Sequence, residues 1–287
     1  MSKNIKMIAL DLDGTTFDSR GNISEETLES LKWAHINGLH VVVCTGRVWD
    51  KLPMGVFKIK GLEYVITSNG GMITDVIREK VIYENPISPE YVEKVMKILN
   101  DEGFSVEVSV DVSIGGRAYI DAREYHHIKE KGSDFRSPEY VLNTRNPVDE
   151  LHKFVLKNKL HVENINMVFQ NMSDQRRMEQ VFGKMSGITM TSSFHNNLEI
   201  GGETTTKASA LSFLLEKLGL THKNLMAFGD SPNDLSMIQM AEIGVVMGNA
   251  GEHMKCHGDF VTLSNDENGV SFAIRKLLTK NGKNCKF

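Results

Sequence analysis

Residues 7–15 read Met7-Ile-Ala-Leu10-Asp11-Leu-Asp13-Gly-Thr15. Four apolar residues stopped by two acids predict a short buried strand that delivers carboxylates at its C-terminal end. A helix is expected next, with Ser24 as N-cap, Glu25 and Glu26 in its first turn, Leu28, Leu31 and Ala34 facing inward, and Gly38 closing it. Leu39-His-Val-Val-Val-Cys44 predicts a second buried strand running into Thr45-Gly46-Arg47. Residues 64–67 predict a third, running into Ser68-Asn69-Gly70-Gly71.

The same grammar returns late in the chain. Leu211, Leu214, Leu215 and Leu218 are spaced as one helix face that ends at Gly219. A strand over 225–228 then runs into Gly229-Asp230, a helix over 235–241 follows, and a strand over 243–247 runs into Gly248-Asn249. Val270, Ile274, Leu277 and Leu278 supply a last amphipathic helix, with Cys285 on a frayed tail. Strands alternating with helices predict a doubly wound, parallel-sheet Rossmann-like α/β core.

Between these halves the rhythm changes. Pro86 and Pro89 open a helix carrying Tyr91, Val95, Ile98 and Leu99, followed by strand-like 106–110 and 117–121. Met178, Val181, Phe182 and Met185 make another helix, followed by strand-like 188–191 and 198–200. Two helix-then-hairpin units predict an inserted α+β domain with an antiparallel sheet. The boundaries read as 1–85 and 199–287 for the core and 86–198 for the insert, with the chain crossing near Pro86 and Gly201-Gly202. The polar stretch 132–147 reads as a loop.

Composition narrows the function. With 287 residues the chain is long enough for two domains. Its 33 basic and 37 acidic residues give a net charge of −4, with no basic run to neutralise nucleic-acid phosphates. No eighteen-residue stretch lacks a charge, so no membrane span is expected, and the N-terminus does not read as a signal peptide. Cys44, Cys256 and Cys285 form neither a disulfide framework nor a thiolate zinc site, which suits a reducing, cytoplasmic setting. The partner expected is a small molecule, and the chain is expected as a monomer or a weak homo-oligomer.

In open α/β sheets ligands bind beyond the C-terminal ends of the strands. Those ends here carry Asp11 and Asp13, Thr45-Gly46, Asn69 and Asp230. Together they give carboxylates beside hydroxyl and amide donors, a set suited to holding a divalent cation against a phosphate. Residues two apart on a strand point the same way, so one of the Asp-Leu-Asp acids can attack while the other handles protons. Lys207, at the head of the leucine-striped helix, adds a positive charge to the positive end of the helix dipole. Asn69 and Glu199 are open between a functional and a structural role. Cys44 reads as packing, and His126, His127, Lys129 and Lys131 read as a solvated face.

These residues resemble the haloacid dehalogenase superfamily of phosphatases, most closely its Cof-type branch with a large α/β cap. Asp11-Leu-Asp-Gly-Thr15 resembles the first motif, Thr45-Gly-Arg47 the second, Lys207 the third and Gly229-Asp-Ser-Pro-Asn-Asp234 the fourth. Met247-Gly-Asn-Ala250 and Asn265-Asp-Glu-Asn-Gly-Val270 resemble further family segments. The resemblance implies a Mg²⁺-dependent phosphatase of small phosphomonoesters such as sugar phosphates, with Asp11 as nucleophile and Asp13 as acid/base. It implies Mg²⁺ held by Asp11, the Asp13 carbonyl and Asp230, a set with few protein ligands that suits Mg²⁺ better than Ca²⁺. It implies phosphoryl binding by Thr45, the Leu12 and Gly46 amides, Asn233 and Lys207, with Asp234 orienting Lys207 or a metal-bound water. Ser231 departs from the Asn of many relatives. A sugar phosphomutase would use the same motifs. A phospho-accepting signalling module would place its acceptor on a middle strand, and Gly202-Glu-Thr-Thr-Thr-Lys207 lacks the second glycine of a phosphate loop.

Overall fold

The computed structural model describes residues 4–101 and 107–278. The strand start at Val106 and the tail position of Cys285 lie outside the described residues. The first part of the chain forms β1 (Met7–Leu10), α1 (Glu25–Ile36), β2 (His40–Cys44), β3 (Leu62–Thr67), β4 (Met72–Asp75) and β5 (Lys80–Glu84). The middle forms α2 (Pro89–Leu99), β6 (Val108–Ile114), β7 (Arg117–Asp121), α3 (Ala122–Lys131), α4 (Pro138–Thr144), β8 (Asn146–Val148), α5 (Leu151–Lys157), β9 (Val162–Phe169), α6 (Met172–Phe182), β10 (Ile188–Thr191) and β11 (Asn197–Gly202). The last part forms α7 (Lys207–Lys217), β12 (Leu225–Gly229), α8 (Leu235–Met240), β13 (Ile243–Val246), α9 (Glu252–Lys255), β14 (Phe260–Val261) and α10 (Gly269–Leu278).

The chain divides into two compact units, one of residues up to Gly46, 52–83 and from Lys207 onward, the other of 47–51 and 84–206. In the first, the sheet order is β14-β13-β12-β1-β2-β3-β4-β5. The strands from β14 to β3 are parallel, and β4 returns antiparallel to β3. Met7, Ala9, Val42 and Ile66 pack with Leu211, Leu214 and Leu215 of α7. α1 packs on α10, where the buried Ser30 and Ser271 hydroxyls meet at 2.6 Å. The Ser24 hydroxyl caps α1 by accepting from the Thr27 amide, as the sequence predicts. The central strands β1, β2, β3 and β12 are buried almost throughout, as strands covered by helices on both faces are, the mark of a doubly wound core.

The second unit carries a six-stranded sheet in the order β10-β11-β9-β6-β7-β8. One face meets α2, α5 and α6 through Val112, Ile165, Met167, Leu198, Val92, Val155 and Phe182. The other face is polar: Ser109, Asp111, Asn166, Asn197 and Glu199 are buried and hydrogen-bonded to neighbours.

Four expectations from the sequence differ from this structure. The insert's sheet is not wholly antiparallel, since β8 pairs with β7 in parallel. The stretch 132–147 is not all loop. Ser137 caps α4 by accepting from the Tyr140 amide, Pro138 starts it, and Val141 is buried on its inner side. The central strand, β9, has no counterpart among the strands expected from the sequence. The core does not resume at 199, because β11 bonds to β9 and β10 and the division falls between Thr206 and Lys207. Gly201 and Gly202 are strand residues under close contact: a β-carbon on Gly202 would lie 2.9 Å from the Pro86 carbonyl oxygen.

Candidate active site

Adjacent strands β12, β1, β2 and β3 end at the same level, and their ladder continues one step beyond them. The Asp11 amide donates to the Phe228 carbonyl at 3.1 Å, Thr45 to Ile66 at 2.8 Å, and Asn69 to Thr45 at 3.1 Å. Backbone pairing therefore fixes where Asp11, Thr45 and Asn69 stand before any side-chain contact is made. After Asp11 the chain turns tightly over Leu12–Thr16, with Gly14 at φ 78°. The Thr16 hydroxyl donates to the Asp11 carbonyl, and the Thr15 hydroxyl donates to Asp230 Oδ1 at 3.0 Å.

Lys207, fully buried at the start of α7, ties the site together. Its ammonium donates to Asp11 Oδ1 at 2.7 Å and to Asp234 Oδ1 at 2.6 Å. Asp234 Oδ2 accepts from the amides of Asp230 and Ser231, each at 3.0 Å. Asp234 thus joins the Lys207 ammonium, through one oxygen, to the turn after β12, through the other. Ser231 keeps a direct contact with Asp230, its hydroxyl donating to Oδ2 at 3.1 Å.

Asp11, Asp230 and Asp234 offer oxygens within 4.8 Å of one another. One ammonium faces these carboxylates in a buried setting, so negative charge is left over. Burial and then Asp234 push the Asp11 carboxyl well above its ordinary range, against the opposing pull of Lys207. Burial and then Asp234 raise Asp230 to about 6, against the Thr15 and Ser231 hydroxyls. Burial alone would lower Lys207, but Asp11 and Asp234 together hold it above the usual lysine range.

The donor set fits a divalent cation such as Mg²⁺: hard carboxylate oxygens of Asp11 and Asp230 close together, with excess negative charge. The Asp13 side chain is exposed and its carboxylate stands outside this group. Thr45 is buried beside Gly46, and Asn233 Nδ2 donates to Asn69 Oδ1 at 3.0 Å. Leu12 is buried in the turn after Asp11.

Glu199 lies in β11 of the second unit, where Asn197 donates to it at 2.9 Å. His126, His127, Lys129 and Lys131 are exposed on α3. Cys44 is buried and burial pushes its thiol far up, so it packs rather than reacts. Sequence reasoning misses Thr15 as a partner of Asp230. It also gives no role to Asn249, whose Nδ2 donates to the Gly14 carbonyl at 2.8 Å, or to Asn265, whose Nδ2 donates to the Phe17 carbonyl at 2.9 Å. Both brace the turn after Asp11.

Residues 8–274 match the family model of haloacid dehalogenase-like hydrolases. The chain belongs to that family. Among relatives of this haloacid dehalogenase-like hydrolase, the Bacillus subtilis phosphatase YwpJ is 28% identical, over 96% of this chain and all of that one. The 5-amino-6-(5-phospho-D-ribitylamino)uracil phosphatase YwtE of the same organism is 29% identical, over 96% and 99% of the two chains. A solved haloacid dehalogenase-like hydrolase from B. subtilis superposes with a TM-score of 0.82 at 27% identity, covering 96% of this chain and 100% of that one. The hydrolase class and the Cof-type core-plus-cap fold expected from the motifs are both met.

Proposed function

We propose that this hydrolase is a Mg²⁺-dependent phosphatase acting on small phosphomonoesters through a phosphorylated Asp11. The observation that carries the reading is the buried Asp11 carboxylate, held by Lys207 at 2.7 Å and grouped with Asp230 at the strand ends. An Asp11 oxygen attacks phosphorus and the bond from phosphorus to the leaving oxygen breaks. Asp13 gives its proton to that oxygen, then takes one from a water whose oxygen attacks the same phosphorus. The bond from phosphorus to Asp11 breaks, inorganic phosphate leaves, and both carboxyl groups return to their starting states.

The Thr45 hydroxyl, the Leu12 and Gly46 amides, the Asn233 carboxamide and the Lys207 ammonium hold the transferring phosphoryl oxygens. Mg²⁺, bound by Asp11, Asp230 and the Asp13 carbonyl, supplies the positive charge that Lys207 alone does not. These residues treat every phosphomonoester alike, so discrimination among leaving groups falls to the inserted unit. The name of YwtE points toward sugar or polyol phosphates as the substrate class.

A phosphate-release screen across sugar and polyol phosphates with Mg²⁺ tests the reading. Turnover should stop in excess chelator, return with Mg²⁺, and fall at least about a hundredfold in Asp11→Asn. Full turnover in chelator removes the metal from the reading, and an active Asp11→Asn protein removes the nucleophile.

A further inference from the structure

At the end of β3 the backbone takes two successive left-handed residues that are not glycine, Ser68 at φ 50° and Asn69 at φ 55°. L-residues adopt this region at a conformational cost, which asparagine bears better than most and which is concentrated at functional sites. The turn is pinned by the Asn69 amide donating to the Thr45 carbonyl and the Gly71 amide donating to the Ser68 carbonyl. Its effect is to send the Asn69 side chain, which is 5% exposed, back toward the phosphoryl-binding segments.

Two contacts define where that side chain arrives. Asn233 Nδ2 donates to Asn69 Oδ1 at 3.0 Å, and a β-carbon on Gly46 would lie 3.2 Å from the same oxygen. Asn69 thus reaches from the end of β3 to the segment after β2 and to the one after β12. In this arrangement Asn233 Oδ1 is buried and meets no donor. An orphaned buried acceptor is costly, so something must enforce the orientation. Asn69 Oδ1 does so, because a carboxamide turned by half a rotation would set two oxygens against each other.

We propose that Asn69 is a positioning residue: it locks Asn233 with its amide nitrogen held in place, so that the second N–H of Nδ2, rather than Oδ1, serves the phosphoryl oxygens. This rests on the reading of Asn233 as a phosphoryl ligand. Without the lock Asn233 is free to present its carbonyl oxygen to an anion, which repels what it should bind.

The test is a double-mutant cycle of Asn69→Gly and Asn233→Ala on the full chain, read with p-nitrophenyl phosphate and Mg²⁺ and with inhibition by inorganic phosphate. Glycine adopts the left-handed turn freely, so Asn69→Gly should unfold no earlier than wild type. It should lose about 10- to 100-fold in kcat/KM, as loss of a ligand-orienting partner does, and bind inorganic phosphate more weakly. Added to Asn233→Ala, it should cost almost nothing more, since the group it orients is gone. Where the glycine variant does not fold, Asn69→Ser, whose hydroxyl is too short to reach Asn233, takes its place. Multiplying losses in the double variant, or wild-type kinetics for Asn69→Gly beside an impaired Asn233→Ala, overturn the positioning role alone. Wild-type kinetics for Asn233→Ala overturn the phosphoryl reading of Asn233 and the proposal with it.

Discussion

Gly14 and Asp230 approach so closely that a β-carbon on Gly14 would lie 2.8 Å from Asp230 Cγ. Glycine is needed there twice over, for φ 78° and for the space the carboxylate occupies. Gly14→Ala is expected to cost about 1–2 kcal/mol for the left-handed backbone alone. It should also push Asp230 off Thr15 and weaken Mg²⁺ binding. Calorimetric titration with Mg²⁺ beside a thermal melt checks both; unchanged Mg²⁺ affinity would show that Asp230 need not stand where it does.

Lys207 pairs with two buried carboxylates at once, so removing it takes from Asp11 and Asp234 the counter-charge they share. Lys207→Met should destabilise by about 3–5 kcal/mol, the usual cost of stripping one partner from a buried pair. The loss should be smaller at pH 5 than at pH 8, because the stranded Asp11 carboxyl, which burial already raises, can then take up a proton. Melting curves at the two pH values decide it, and equal losses at both would mean that charge is not the cause.

The raised Asp230 carboxyl fixes a sign for pH dependence. A carboxylate whose folded pKa lies above its unfolded value adds stability at low pH, fully present below about 4 and lost as pH rises through about 6. The metal-free protein should therefore lose this contribution between those values, and Mg²⁺ should stabilise it more at pH 7.5 than at pH 5. The Mg²⁺-induced shift in Tm across that range checks the sign. A larger shift at pH 5 would contradict the charge excess assigned to the site.

Much of the first unit is legible in the sequence because its chemistry is loud. Apolar runs that stop dead at Asp11, at Thr45 and at Asp230 announce strand ends that carry function, and Lys207 heads a helix with a clear leucine stripe. The second unit hides its central strand. β9 reads Val-Glu-Asn-Ile-Asn-Met-Val-Phe, and all eight residues are buried, the Glu and both Asn included. Sequence patterns assign such side chains to water, whereas here Asn166 donates to Asp111 at 3.0 Å and Glu163 accepts from the Gly116 amide at 2.6 Å. Asn249 and Asn265 are silent for another reason. Their bonds go to backbone carbonyls of a turn more than two hundred residues away in the chain, and no local spacing encodes that reach.

Asp13 differs from Asp11 in one physical respect that its proposed role requires. It is exposed where Asp11 is buried, so it can exchange protons with water and with a leaving group. Asp13→Asn should then separate the two chemical steps by leaving group. An alkoxide from a sugar leaves poorly unless protonated, so transfer to Asp11 should nearly stop with a sugar phosphate. A nitrophenolate needs far less help, so with an aryl phosphate the variant should still phosphorylate Asp11. Hydrolysis of the aspartyl-phosphate should then be slow, because no base takes the proton of the attacking water, and phosphoenzyme should accumulate. Rapid-quench mass spectrometry reads the outcome directly: an aryl-phosphate burst with a phosphoryl adduct on Asp11 is expected. Wild-type turnover on both kinds of substrate would mean that some other group moves the proton.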